Sequence, residues 1–149
     1  MFDDEEEDAF NDKNLNEELA RFEAFEKGEP FGFLDSDRWE MLIDHFLMNG
    51  QYNNALLCAE EALTQFSYNN VFKLRLAQCY SAIGKLKESI NLLTEIERLG
   101  VDSFELLLTK ASVFSQLKDS KNGLKKLSVA SIDLEISESD NRVKINSDD

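Results

Sequence analysis

The chain has 149 residues, 42% of them hydrophobic and 31% charged, which suits one globular domain and excludes an intrinsically disordered chain. The net charge of −14 argues against nucleic-acid binding through phosphate neutralisation, and one histidine with two cysteines is too small a set for a zinc site. No apolar run approaches the roughly 18 residues that span a bilayer, and the N-terminus is acidic where a signal peptide is basic. We therefore expect a cytoplasmic protein.

The chain begins with an acidic segment. Residues 1–30 carry 12 acidic and 3 basic side chains, and six acids follow one another from Asp3 to Asp8. Like charges at this density repel one another, which predicts a solvated, disordered tail over residues 1–13.

Residues 14–35 are expected to form an N-terminal helix and a linker. An apolar stripe at helical spacing consists of Leu15, Leu19, Phe22 and Phe25. Gly28 and Pro30 end this pattern. Because exposed aromatic side chains lower solubility, Phe31 and Phe33 of the linker are expected to pack back on the folded body.

The remaining sequence predicts helices that come in pairs. They are expected near residues 36–49, 52–66, 71–83, 86–99, 104–117 and 120–130. Gly50 and Gly84, which break the first and third of these helices, are 34 residues apart, and the same step separates Phe46 from Tyr80 and Tyr80 from Phe114. A fixed period with two helices per unit predicts stacked helical hairpins that share one core.

This pattern resembles the tetratricopeptide repeat (TPR), whose signature combines large residues in the first helix, a Gly-x-Tyr turn and small residues in the second helix. The first unit fits best, with the packing positions Trp39, Leu42, Phe46, Gly50, Tyr52, Ala55, Ala59 and Ala62. The second unit keeps Leu76, Ala77, Tyr80 and Gly84, whereas the third keeps Ala111 and Phe114 and has Lys118 in place of the turn glycine.

The resemblance implies an all-α fold, a right-handed superhelix of tandem helix-turn-helix units behind the N-terminal helix. About three TPR-like repeats are expected over residues 36–131, divided as 36–69, 70–103 and 104–131. A plain helical bundle is the structural alternative. Residues 132–149 alternate apolar and polar side chains, which predicts either a short hairpin or a disordered extension.

Nothing in the sequence indicates catalysis. Phosphate-binding glycine loops, zinc-protease motifs and nucleophile elbows are all absent. His45 has no nucleophilic side chain to partner it. Cys58 and Cys79 are interpreted as buried reduced thiols. The sequence therefore predicts a protein that is not an enzyme and has no catalytic residue, cofactor or metal site.

Binding of another protein is the remaining prediction. In TPR proteins the first helices of successive units line a concave groove that holds a peptide or a partner helix. The corresponding residues here are Asp37, Glu40, Asp44, Met48, Leu74, Gln78, Ser81, Glu105, Leu108 and Ser112. Because Glu40 and Asp44 would repel an acidic peptide tail, a carboxylate-clamp role is rejected.

We expect a scaffold or adaptor whose partner is a basic or apolar protein segment, with neither nucleic acid nor membrane as a partner. The alternative is a self-assembling segment that forms homo-oligomers through the open ends of its repeats, or the N-terminal portion of a longer repeat array.

Overall fold

A computed structural model of the chain describes residues 4–127, which form α-helices joined by short turns and one longer linker. In chain order these are α1 (Asp4–Glu26), α2 (Ser36–Met48), α3 (Tyr52–Gln65), α4 (Asn70–Ala82), α5 (Leu86–Arg98) and α6 (Phe104–Leu127). The predicted all-α class is confirmed over this range. The backbone divides into two units, residues 1–103 and 104–149. Within the described range, no helix combines the length and apolar character needed to cross a bilayer.

The first unit contains two helical hairpins, α2–α3 and α4–α5, and their turns have the same construction. In each turn a glycine adopts a left-handed conformation, with φ of +73° at Gly50 and +86° at Gly84. The amide after Gly50 donates to the Phe46 carbonyl oxygen over 2.8 Å, and the amide after Gly84 donates to the Tyr80 carbonyl oxygen over the same distance. These are Schellman ends, which need a residue without Cβ strain at the left-handed position. The 34-residue period seen in the sequence is thus a period of helix termination.

Side chains also set the beginnings of the first helix of each hairpin. The Asp35 carboxylate accepts from the backbone amide of Arg38 over 3.2 Å, and the Asn69 side chain accepts from the amide of Phe72 over 3.0 Å. Each bond satisfies one of the amides that a helix N-terminus leaves without an intrahelical partner.

The core of the first unit lies between α2, α3 and α4. Its fully buried members include Trp39, Leu42, Ile43, Ala55, Ala59, Ala62 and Phe72. The three alanines lie on α3, which packs against both α2 and α4. Because small side chains allow helix axes to approach closely, α3 can contact both neighbours at once without losing helix propensity.

The N-terminal segment is part of this core. The ring centroid of Phe22 on α1 lies 4.8 Å from that of Phe46, and the centroid of Phe31 lies 4.6 Å from that of Trp39. Phe31 is buried as expected, whereas Phe33 is exposed even though its ring contacts Phe66. Of the two aromatic side chains of the linker, Phe31 is therefore part of the core and Phe33 lies on the surface.

A single side chain on α3 fastens the linker. The Gln65 amide oxygen accepts from the Trp39 indole nitrogen over 3.1 Å and from the Leu34 backbone amide over 3.2 Å. Its amide nitrogen donates to the Gly32 carbonyl oxygen over 2.8 Å. Gln65 therefore joins the linker, α2 and α3 through one group whose donor and acceptor are both used.

An ion pair lies in the contact between α1 and α2. The Glu18 side chain is fully buried and pairs with the Arg38 guanidinium, which also donates to Glu17 over 2.8 Å. Arg21 approaches Glu18 at 3.8 Å. Burial raises the pKa of the Glu18 carboxyl, and the charge of Arg38 opposes that rise. The charge on Glu18 therefore depends on Arg38.

Two elements differ from the sequence expectation. α1 begins at Asp4, although the acidic residues were expected to form a tail and the helix to begin near Asn14. Once the apolar stripe docks, each residue added toward the N-terminus gains a hydrogen bond, and acidic side chains favour that end of a helix. α6 runs unbroken through Lys118, where a turn was expected, because no glycine at that position supplies the left-handed residue that ends α2 and α4. Residues 132–149 lie outside the described residues.

Candidate protein-interaction face

The first helices of the two hairpins, α2 and α4, contact each other directly. Arg75 on α4 connects them: its Nε atom lies 2.7 Å from an Asp44 carboxylate oxygen, and its Nη2 atom lies 3.6 Å from a Glu40 carboxylate oxygen. A third bond of 3.4 Å joins its Nη1 atom to the Gln78 side chain. The Arg75 side chain is only 12% exposed, so this arginine is a structural tie between the helices.

The two carboxylates of this network remain accessible. The side chains of Glu40 and Asp44 are 42% and 38% exposed, and Asp37 is exposed one turn before Glu40. Met48, at the end of α2, is 86% exposed. We call the exposed or half-exposed side chains Asp37, Glu40, Asp44, Met48 and Gln78 the α2–α4 face. It carries three acids, one amide and one flexible apolar side chain, and the largely covered Arg75 pairs with two of its acids.

An open cleft of about 720 Å³ adjoins this face, between α1 and α2. Asp37 lines it together with Asp12, Asp35 and Arg38. The carboxylate of Asp35 caps α2, so Asp12 and Asp37 supply the other acidic groups there. The described residues hold no group of three histidine, cysteine or carboxylate side chains arranged to bind a metal ion.

The structure separates the predicted groove residues into three sets. Asp37, Glu40, Asp44, Met48 and Gln78 share the α2–α4 face. Leu74 and Ser81 are buried and so cannot offer an accessible contact surface. Glu105, Leu108 and Ser112 are exposed, but they lie on α6 in the second unit.

The predicted packing positions also divide. The packing positions on α2 and α3 are buried, except for Tyr52, which is partly exposed, and Gly50 lies in the turn after α2. On α4, Leu76 and Ala77 are buried and Tyr80 is half-buried. Ala111 and Phe114 of α6 are exposed instead. Sequence reasoning missed Arg75, although the repeat offered a signal. Arg75 occupies the repeat position of Met41, 34 residues earlier, and Met41 lies between Glu40 and Asp44 in the sequence of α2.

The cysteines offer no reactive group on this face. Cys58 on α3 and Cys79 on α4 are both buried and unpaired. Burial raises the pKa of Cys58 far above its ordinary value and raises the pKa of Cys79 to about 12. Both thiols are therefore protonated at neutral pH and act as small apolar side chains.

Repeated helical hairpins with Schellman ends at a 34-residue step define a TPR-type repeat protein, a class that typically mediates protein interactions and is not typically enzymatic. Residues 48–130, more than half of the chain, match the profile of the family described as anaphase-promoting complex, cyclosome, subunit 3, and the chain belongs to that family. The predicted resemblance to TPR proteins is thus confirmed. No curated protein and no solved structure matches the chain significantly.

Proposed function

We propose that the chain is a non-enzymatic interaction module that binds a basic segment of another protein on the α2–α4 face. The tie through Arg75 carries this proposal, because it fixes two helices side by side and leaves the outer edges of Glu40 and Asp44 open to solvent. A binding surface built on rigid helices needs no ordering when the partner arrives. The family description names a subunit of a multiprotein complex, which supports a role in protein assembly.

The chemistry of the face favours a partner with lysine or arginine next to apolar residues. Arg75 offsets one of the three negative charges and is itself mostly covered, so the accessible charge is negative. The acidic cleft beside Asp37 is large enough for a long basic side chain. Met48 supplies an adaptable apolar contact, since a thioether side chain adjusts to irregular surfaces. An acidic peptide tail would meet repulsion.

A pair of synthetic helical peptides tests the proposal with the full chain. Both peptides share the same leucine positions, and one carries lysines where the other carries glutamates. We expect fluorescence anisotropy to detect binding of the lysine peptide, with an affinity that falls as salt is added because the pairs are screened. Equal binding of both peptides, or a lysine peptide whose affinity ignores salt, would contradict the proposed charge recognition.

The binding face is located by a double variant, Asp37→Lys with Met48→Lys, which leaves both ion pairs of Arg75 in place. Each substitution should raise the dissociation constant of the lysine peptide by roughly threefold or more, since each replaces a favourable contact with a repulsive one. Glu60→Lys with Tyr68→Lys is the matched control, because it changes one exposed acid and one exposed uncharged side chain elsewhere in the unit and adds the same charge. If the control weakens binding as much as the test variant, the face lies elsewhere.

A further inference from the structure

The sulfur-containing side chains of residues 4–127 differ sharply in their access to solvent. Cys58 is 1% and Cys79 0% exposed, and Met41 is half-buried in the wall of the cleft between α1 and α2. Met48, the last residue of α2, is 86% exposed. Oxidation of sulfur needs direct contact with the oxidant, so exposure selects the residue that reacts. In this part of the chain it selects Met48.

The two cysteines do not compete with Met48 for an oxidant. A thiol is oxidised through its thiolate form, and burial keeps both thiols protonated at neutral pH. A thioether has no proton to lose, so its reactivity does not depend on deprotonation. An oxidant that meets the folded unit should therefore attack Met48 before either cysteine.

We propose that Met48 is a site of reversible oxidation, and that its sulfoxide weakens the binding of a basic partner to the α2–α4 face. This regulation rests on the function proposed above, because Met48 is the apolar member of that face. Hydrogen peroxide is the oxidant: it transfers one oxygen atom to the thioether sulfur, its O–O bond breaks, and the other oxygen leaves as water. The sulfur loses two electrons, which the peroxide accepts. A methionine sulfoxide reductase reverses the change with a dithiol, which becomes a disulfide as water is released.

The charges of the α2–α4 face favour an oxidant without charge. Met48 lies one helical turn after Asp44, and Asp37 and Glu40 lie on the same side of α2. The accessible charge of this face is negative, since the one base that pairs with it, Arg75, is largely covered. Anionic oxidants are therefore repelled, whereas hydrogen peroxide is not.

Oxidation changes the chemistry of Met48 without disturbing the core. The thioether is a flexible apolar group, whereas the sulfoxide is polar and accepts hydrogen bonds. An apolar side chain of the partner would then displace water from that acceptor without replacing its hydrogen bond. We expect the dissociation constant of the lysine peptide to rise roughly fourfold, the effect of losing about one buried methylene group.

The first test follows the oxidation itself. The full chain is treated with hydrogen peroxide, and mass spectrometry of its proteolytic fragments measures the oxygen gained at each methionine. Met48 should oxidise several times faster than Met41 and nearly as fast as free methionine. The lysine peptide should slow the oxidation of Met48, whereas its glutamate counterpart should not, because only the lysine peptide covers the face. Oxidation of Met48 no faster than that of Met41 would overturn the site.

The second test measures the affinity for the lysine peptide before and after peroxide treatment. The wild-type chain should lose affinity by the fourfold factor given above, and a methionine sulfoxide reductase with dithiothreitol should restore it. Met48→Leu, which keeps the other two methionines of the chain, should show the same affinity before and after treatment. Met41→Leu is the matched control and should respond to peroxide as the wild-type chain does. A loss that persists in Met48→Leu, or unchanged affinity of the oxidised wild-type chain, would overturn the regulatory role.

The failure of this proposal is distinguishable from failure of the proposed function. If the lysine peptide does not bind the untreated chain, the proposed function fails and the regulatory role fails with it, while the oxidation rates still decide whether Met48 is the reactive site. Circular dichroism should give the same thermal unfolding midpoint before and after oxidation, because Met48 lies outside the core. A lower midpoint after oxidation would overturn the local mechanism, since it would trace the weaker binding to the fold.

Discussion

The ion pair between α1 and α2 leads to a prediction about pH. Arg38→Met removes the guanidinium that faces the buried Glu18 carboxylate but retains most of the apolar stem. Glu18 must then remain ionised without its main partner or take up a proton. Burial already raises the pKa of Glu18, and loss of Arg38 raises it further because the opposing charge is gone.

The cost of protonation sets an upper limit on the effect of losing the charge. Adding a proton to a carboxyl group costs about 1.36 kcal/mol for each pH unit above its ordinary pKa of 4.5. The charge-related destabilisation by Arg38→Met is therefore at most about 3.4 kcal/mol at pH 7 and about 0.7 kcal/mol at pH 5. A carboxyl whose pKa is higher in the folded state favours folding below its ordinary pKa and loses that contribution as pH rises. Acid should thus rescue the variant.

Urea unfolding of the wild-type chain and Arg38→Met at pH 5, 6 and 7 measures this directly. The difference in unfolding free energy between them should grow by up to about 1.4 kcal/mol per pH unit. Glu18→Gln added to Arg38→Met should abolish the pH dependence, because the amide does not titrate. A difference that is the same at all three pH values would refute the reasoning, and so would a pH dependence that survives Glu18→Gln.

Two further predictions concern the first unit. Gly50→Ala should lower the unfolding free energy by about 1–2 kcal/mol, because φ of +73° strains any residue with a Cβ atom, although the added atom would meet nothing within 4 Å. Gly50→Asn should lower the unfolding free energy less in the same denaturation assay. Equal losses for the two variants would contradict a purely conformational origin. Cys58 and Cys79 should react with a thiol reagent at pH 8 only at the rate of unfolding, since both are buried and protonated. Immediate reaction of either thiol in the folded chain would contradict this.

The architecture was predictable where local signals coincide with the repeat. Gly50 and Gly84 stand at left-handed helix ends, a requirement that is visible in the sequence, and the alanines of α3 follow the TPR signature. Ser89 stands at a position where that signature commonly has alanine. Its buried hydroxyl donates to the Ala77 carbonyl oxygen over 2.7 Å, so a small polar side chain fits where alanine is common.

Other features depended on distant contacts that no local pattern contains. The acidic residues after Asp3 predicted a tail because charge density is a local property, whereas helix extension depends on a docked stripe further along the chain. The candidate binding face was predicted in part: the acids of α2 were identified, but their pairing with Arg75 joins residues 31 or more positions apart. Burial of Leu74 and Ser81 likewise follows from packing between helices.

The bonds of Gln65 have a consequence for how this chain opens. One amide group holds the linker at Gly32 and Leu34 while it also bonds to Trp39. Release of the linker would break the bonds to Gly32 and Leu34 and would take Phe31 off the buried Trp39 ring, so the segment before α2 and the first hairpin should open together as one cooperative element. In native-state hydrogen exchange their slowest amides should then share a single opening free energy. The repeat signature begins at Ser36, whereas the element that unfolds cooperatively also includes the linker before it. The first repeat is thus smaller than the first unfolding unit.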